Sequence, residues 1–188
     1  KKYNVTVAEV HRRVRAPECF NLSILGSMLK KGKTKDNCTQ LKNELKEYNI
    51  NLDSGRRKSA KNTTFTSLTE GEALDLVKDM VTEVERSFPA GDLAKSIVEQ
   101  ADTSTLESIQ NAVNGFGYAS RIAMSLRAVV ISLRLPVAER IPNKINPDAH
   151  LMFNYCNLTH GYGPDAIASW MAIFDNLFKR TMEAFPQC

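Results

Sequence analysis

Three clusters of cationic side chains carry most of the chemistry this chain has to offer: Arg12-Arg13-x-Arg15, Lys30-Lys31-x-Lys33-x-Lys35 and Arg56-Arg57-Lys58-x-x-Lys61. Ammonium and guanidinium groups at this density attract phosphates through counterion release, and arginine adds a bidentate fork that matches guanine O6 and N7. One such cluster is ordinarily a solvated face. Three on separate segments point instead to a polyanionic ligand. Around the third cluster, Gly55 permits unusual backbone, and Ser59, Asn62, Thr63 and Thr64 are short polar groups able to hydrogen-bond phosphates.

The chemistry of catalysis is missing. No H-E-x-x-H, G-x-S-x-G, Walker loop or dinucleotide fingerprint occurs. The histidines (His11, His150, His160) are widely separated. His150, Cys156 and His160 offer three metal donors without an evident fourth, and read better as a polar helix residue, a core thiol and a turn histidine. No enzymatic activity, metal or cofactor is expected.

Charge is divided along the chain. Residues 1–63 hold fifteen Lys and Arg against six Asp and Glu, a balance of +9; the whole chain carries +4, so the remaining residues carry −5. A basic third joined to a mildly acidic, apolar remainder suggests a polyanion-binding part built on a packing or assembly part. With 188 residues, 43% hydrophobic and 24% charged, the chain suits one ordinary domain or two small ones. It has neither an apolar run long enough to span a bilayer nor a signal peptide. It also lacks an initiator Met, which suggests a piece of a longer protein. Cys19, Cys38, Cys156 and Cys188 are scattered without a C-x-x-C, favouring a reducing compartment. The N-x-S/T sequons at Asn4, Asn21, Asn37, Asn62 and Asn157 would matter only in a secreted chain.

The elements that must position these groups read as helices. Thr6-x-x-Glu9 is a capping box ahead of Val7, Val10 and Val14. Leu22, Leu25 and Leu29 recur at helical spacing, and Asn37-x-x-Gln40 opens a helix carrying Leu41, Leu45 and Tyr48. Residues 49–66 lack an apolar period and read as loop, with short strands near Ile50-Leu52 and Thr63-Thr66. Thr69-x-x-Glu72 then caps a helix running to Phe88-Pro89, Asp92 starts a short one, and Ser104-x-x-Glu107 caps a longer one over 106–133. Pro136, Pro142 and Pro147 interrupt regular structure. Helices over 149–158 and 164–183 follow, separated by the turn His160-Gly-Tyr-Gly163. On these last two, Phe153, Leu158, Trp170, Phe174, Leu177 and Phe178 form apolar stripes too broad for one covered face, which suggests burial against a second copy.

The segments Tyr3-Asn-Val-Thr-Val-Ala-Glu-Val-His-Arg-Arg, Pro17-Glu-Cys, Gly55-Arg-Arg-Lys and Thr66-Ser-Leu-Thr-Glu-Gly-Glu-Ala73, followed by Phe88-Pro-Ala90 and His160-Gly-Tyr-Gly163, resemble the AP-2 family of transcription factors. That resemblance implies a mainly α fold: a basic DNA-binding part of short helices and loops over 1–68, packed on a helix-span-helix dimerisation part over 69–188, with 136–148 as the span. It implies a nuclear, non-membrane protein that binds GC-rich double-stranded DNA as a homodimer, and with paralogues as heterodimers, to regulate transcription by RNA polymerase II. The sites that the resemblance implies are palindromes of GCC and GGC half-sites about three base pairs apart.

Carried over position by position, Arg56 and Arg57 become the guanine readers. Lys58, Lys61, Lys33 and Lys35 become phosphate clamps, with Arg12, Arg13 and Arg15 in either role and Lys30 and Lys31 in a cluster that usually begins with two arginines. The lysines keep phosphate attraction but lose the planar fork. Lys61, Asn62 and Thr39 also depart from the family's usual Asn, Val and Arg. The competing reading from another class is a helical adaptor whose basic third binds an acidic protein partner.

Overall fold

Short polar caps start most of the helices. A computed structural model of the chain describes residues 3–32, 34–52, 61–131 and 152–186. Thr6, Asn21 and Thr34 each accept a hydrogen bond from the backbone N–H three residues on, and so start α1 (Val7–Val14), α2 (Leu22–Met28) and α3 (Lys35–Glu47). A 3-10 helix covers Thr64–Ser67. Thr69 and Glu72 form a complete capping box for α4 (Glu70–Ser87), with reciprocal bonds of 3.1 and 2.8 Å. α5 (Ala90–Gln100), α6 (Leu106–Ile131), α7 (Phe153–Leu158) and α8 (Tyr162–Ala184) follow. The chain is mainly α, as expected.

Three of these helices end alike. At the end of α2 the Lys30 and Lys31 N–H groups donate to the Ser27 and Gly26 carbonyls; after α3 those of Asn49 and Ile50 donate to Lys46 and Leu45; after α7 those of His160 and Gly161 donate to Asn157 and Cys156. This is the Schellman arrangement. Its left-handed residue is Lys30 (φ 54°), Asn49 (φ 58°) and His160 (φ 55°) in turn.

Several boundaries differ from expectation. Among the described residues there is no strand. Ile50 is not strand but the apolar residue that closes the α3 cap, packing in the same cluster as Leu45. Beyond Thr63 the chain is not extended either, because the Thr66 hydroxyl accepts from the Thr63 N–H at 2.9 Å and Thr64–Ser67 coils into the 3-10 turn. α3 begins at Lys35 rather than Asn37, α5 at Ala90 rather than Asp92, and the cap of α6 is Thr105 rather than Ser104, whose own hydroxyl turns back to Asp102. The 136–148 span lies outside the described residues.

Two compact units divide the chain, Lys1–Val77 with Leu133–Gly163 and Lys78–Ser132 with Pro164–Cys188; two of the three boundaries fall within α4 and α8. In the first, Val10, Phe20, Leu25, Met28, Leu41, Leu45 and Ile50 form a core between α1, α2 and α3. In the second, α8 carries a ladder of rings at helical spacing. Trp170, Phe174 and Phe178 follow one another at 5.9 and 6.2 Å, Phe88 meets Trp170 edge-on at 6.1 Å, and Phe116 packs on Phe178 and Phe185. One polar pair crosses this apolar interface: the Ser120 hydroxyl donates to Asp175 at 2.6 Å, and Lys179 donates to the other carboxylate oxygen at 2.7 Å.

Candidate nucleic-acid interface

The expected cations fall into two groups. Arg15 is the exposed C-cap of α1. Lys30 and Lys31 hold the two positions that close the Schellman turn of α2, so backbone hydrogen bonds fix the direction in which they leave the helix. Lys35 is the exposed first residue of α3, and Lys61 is exposed ahead of the 3-10 helix. Lys30 reaches Glu72 at 3.0 Å, but with 75% of its side chain in solvent this pair is weak and easily exchanged for a phosphate. Lys31 pairs with Glu44, whose carboxyl that hydrogen bond holds below its ordinary range. Lys33 and the Arg56-Arg57-Lys58 cluster lie outside the described residues.

Arg12 and Arg13 are directed elsewhere. Arg12 lies against α4, its Nε donating to Glu70 at 2.7 Å with a second bond from Nη2 to the other oxygen. Burial pushes the Glu70 carboxyl up, and the Arg12 hydrogen bond opposes it. Arg13 is only 1% exposed. Its guanidinium meets Glu9 at 2.9 Å, Glu18 at 3.4 Å, the Leu68 carbonyl and the ring of His160, with the Phe20 ring 5.7 Å away.

Arg13, expected among the DNA contacts, is therefore enclosed within the protein in this structure. A guanidinium enclosed by two carboxylates, a carbonyl and two rings presents no N–H to a duplex. The signal was in the sequence: Arg13 stands three residues from Val10 and four from Glu9, on the apolar face of α1 rather than the solvent face.

Glu9 shows a related departure. Its N–H binds Thr6 as the capping box requires, but its carboxylate accepts from Arg13 and from the Glu70 N–H at 2.9 Å, so it caps α4 rather than α1. His160, 2% exposed, has its pKa lowered to about 3, chiefly by burial and then by the Arg13 charge. Its 3.8 Å approach to Glu18 is consequently not an ion pair near neutral pH. Facing a guanidinium, its ring is also badly placed to join Cys156, which is fully buried, around a cation; His150 lies outside the described residues.

The expected assembly residues are divided as well. Trp170, Phe174 and Phe178 make their ring contacts within the chain, and Leu177 is buried. Phe153 is half-buried, while Leu158 is 36% exposed. The sequence analysis singled out no side chain of α6, where Tyr118, Ile122 and Leu126 follow one another at four-residue spacing and are 62%, 70% and 40% exposed. Among the described residues no helix is long and apolar enough to cross a membrane.

Fold and site together define a helical domain that carries exposed cations on its helix ends. The family described as Transcription factor AP-2 matches residues 1–181. Human Transcription factor AP-2-epsilon is 35% identical over 97% of this chain, human Transcription factor AP-2-delta 34% over 96%, and mouse Transcription factor AP-2 gamma 32% over 97%. The chain spans about two-fifths of the length of these relatives (41%, 40% and 41%). It belongs to the AP-2 transcription factor family, whose members are not enzymes.

Proposed function

We propose that this chain is a sequence-specific DNA-binding region. It binds GC-rich duplex palindromes of GCC and GGC half-sites as a homodimer in the nucleus, pairs with paralogues as heterodimers, and serves regulation of transcription by RNA polymerase II. Residues 1–68 hold the DNA and residues 69–188 the partner copy. Arg56 and Arg57 read guanine edges; Lys58, Lys61, Lys33, Lys35, Lys30, Lys31 and Arg15 neutralise phosphates, and Arg12 joins them when Glu70 releases it.

The observation that supports this reading is the placement of Arg15, Lys30, Lys31 and Lys35 on the ends of α1–α3 in a chain that belongs to a transcription factor family. Phosphate contacts from such positions set register, and base contacts then set specificity. The dimer is supported by the exposed stripe Tyr118, Ile122 and Leu126 on α6, since a helix apolar on two faces needs two coverings. The test is a gel-shift titration with a GC-rich palindrome against excess random duplex. Retention of the complex supports the reading, and its loss at the same salt as a scrambled probe refutes it.

A further inference from the structure

We propose that Arg13, with Glu9, Glu18 and His160, is a positioning cluster that holds the downstream end of the 51–63 segment, while Val10 on the same helix holds its upstream end, so that Arg13 governs which bases are read without touching DNA. This inference rests on the reading of duplex DNA as the ligand. Its basis is where the partners of one guanidinium come from. Glu9 belongs to α1, Glu18 to the turn after it, the Leu68 carbonyl to the exit of the 3-10 helix, and His160 to the left-handed turn after α7. Four chain segments therefore meet at one cation that no solvent reaches.

The downstream end of 51–63 is tied to this cluster by two further links. The Phe65 ring packs on Tyr162 at 5.3 Å, and the His160 ring hydrogen-bonds the Phe65 backbone. The upstream end is tied through the opposite side of the same short helix. Val10, three residues before Arg13, lies in the core that holds Ile50, itself 4% exposed. α1 is thus the common mount: its apolar side fixes where the chain enters the segment bearing Arg56, Arg57 and Lys58, and Arg13 fixes where the chain leaves it.

Bidentate arginine–guanine bonds are far less tolerant of displacement than phosphate attraction, because N–H···O bonds weaken steeply with distance and angle whereas screened charge does not. Loosening the mount should therefore degrade sequence ranking and spare non-specific affinity. The electrostatics agree. Arg12 and Arg13 face Glu9, Glu18 and Glu70 with a neutral His160, so while Glu70 holds Arg12 this pair adds no net positive charge for a duplex to meet.

The experiment uses the intact chain with Arg13→Lys, which keeps the charge and loses the fork that reaches four partners. Phe65→Leu serves as a second variant that removes the Tyr162 contact without touching a buried charge. Each is first checked for folding by far-UV circular dichroism and a thermal melt. Affinity is then measured for the palindrome, for a palindrome with one half-site base changed, and for random duplex, each across a salt series. The expected result is a preference for the palindrome reduced by about tenfold or more, with random-duplex affinity and salt slope unchanged; a purely structural defect would lower all three affinities together. Folded Arg13→Lys with wild-type ranking overturns the proposal. So does a uniform weakening with a salt slope lower by about 0.9, since that marks a lost phosphate contact. If Arg13→Lys does not fold, Phe65→Leu decides on the same two criteria. Wild-type protein without any palindrome preference would instead refute the DNA reading itself.

Discussion

Replacing His160 by Asn should change how stability responds to acid, and the size of the change follows from where the ring sits. His160 lies at 2% exposure against the Arg13 guanidinium, with Arg12, Glu9 and Glu18 as the other charges around that site, and its pKa is lowered to about 3. An unfolded chain protonates this ring as pH falls through about 6.5, whereas the folded chain resists until about 3. The contribution is present in full above the unfolded value and is lost as pH falls toward the folded one. Within that window each pH unit removes about 1.4 kcal/mol, so going from about pH 7.5 to about pH 5 removes roughly 2 kcal/mol. Asn tolerates the left-handed backbone at φ 55° and does not titrate. It loses the ring contacts with Arg13, so the variant starts less stable at neutral pH. Urea unfolding followed by circular dichroism across this range should show the gap between the two proteins closing by roughly 2 kcal/mol on acidification. Every carboxylate is common to both proteins and cancels in the difference. Parallel curves would mean that the imidazole takes up its proton in the folded state at an ordinary pKa, which a ring enclosed against Arg13 excludes.

Arg56→Ala or Arg57→Ala should abolish preference for the GCC half-site, a loss of about 1–3 kcal/mol of discrimination per bidentate pair, whereas Lys35→Ala should weaken all duplexes alike and lower the salt slope by about 0.9; competition binding that leaves the arginine variants with wild-type ranking refutes the assignment. Ile122→Glu, at a 70% exposed position, should leave monomer stability within about 0.5 kcal/mol of wild type yet shift sedimentation toward monomer at micromolar protein, and an unshifted profile would clear α6 of any part in assembly. Gly163→Ala should lower the thermal midpoint, because its Cβ would collide with the Tyr155 ring and stand 2.7 Å from the Thr159 hydroxyl; a cost of roughly 1–3 kcal/mol is expected, and an unchanged melt contradicts it. Half-sites about three base pairs apart have centres about six base pairs apart and face nearly opposite sides of a duplex with about 10.5 base pairs per turn. Binding should therefore fall sharply when the spacer is lengthened by one or two base pairs, and equal affinity for all spacers would refute a two-armed grip.

What could be read from the chain alone was the local code. Thr69-x-x-Glu72 behaves as its spacing requires because both partners lie within one turn and nothing nearby competes for them. Thr6-x-x-Glu9 has the same spacing, yet Glu9 turns away, since a buried guanidinium and the first N–H of α4 together outbid one local amide. The same reason separates Arg12 from Arg13: neighbours in sequence differ by about 100° around a helix, and only the partners brought in by Glu18, Leu68 and His160 decide which of them is enclosed. The strands expected near Ile50 and Thr63 failed for a different cause. β-branched residues were read as extended, but Ile50 closes a helix cap and the threonine hydroxyls bond locally. On α6 only the cap and the extent were read from the sequence; two apolar stripes share that helix, and periodicity does not tell which one the chain covers: Ala123 and Val130 are enclosed, while Tyr118 and Ile122 are left in solvent.

The ring ladder of α8 repeats at every turn, so sliding that helix by one turn, about 5.4 Å, would set each aromatic side chain where its neighbour had been. Rings alone therefore leave several alignments close in energy. The carboxylate of Asp175 removes that degeneracy. In the observed alignment it meets the Ser120 hydroxyl; displaced by a turn, it would face Phe116 or Ala123 and sit desolvated without that donor, a penalty of about 1–3 kcal/mol or more for a charged group. A single serine on α6 thus works as a detent. It selects one stop along an otherwise slippery track, at the cost of making that pair of helices intolerant of an Asp175→Leu exchange that a purely apolar interface would welcome.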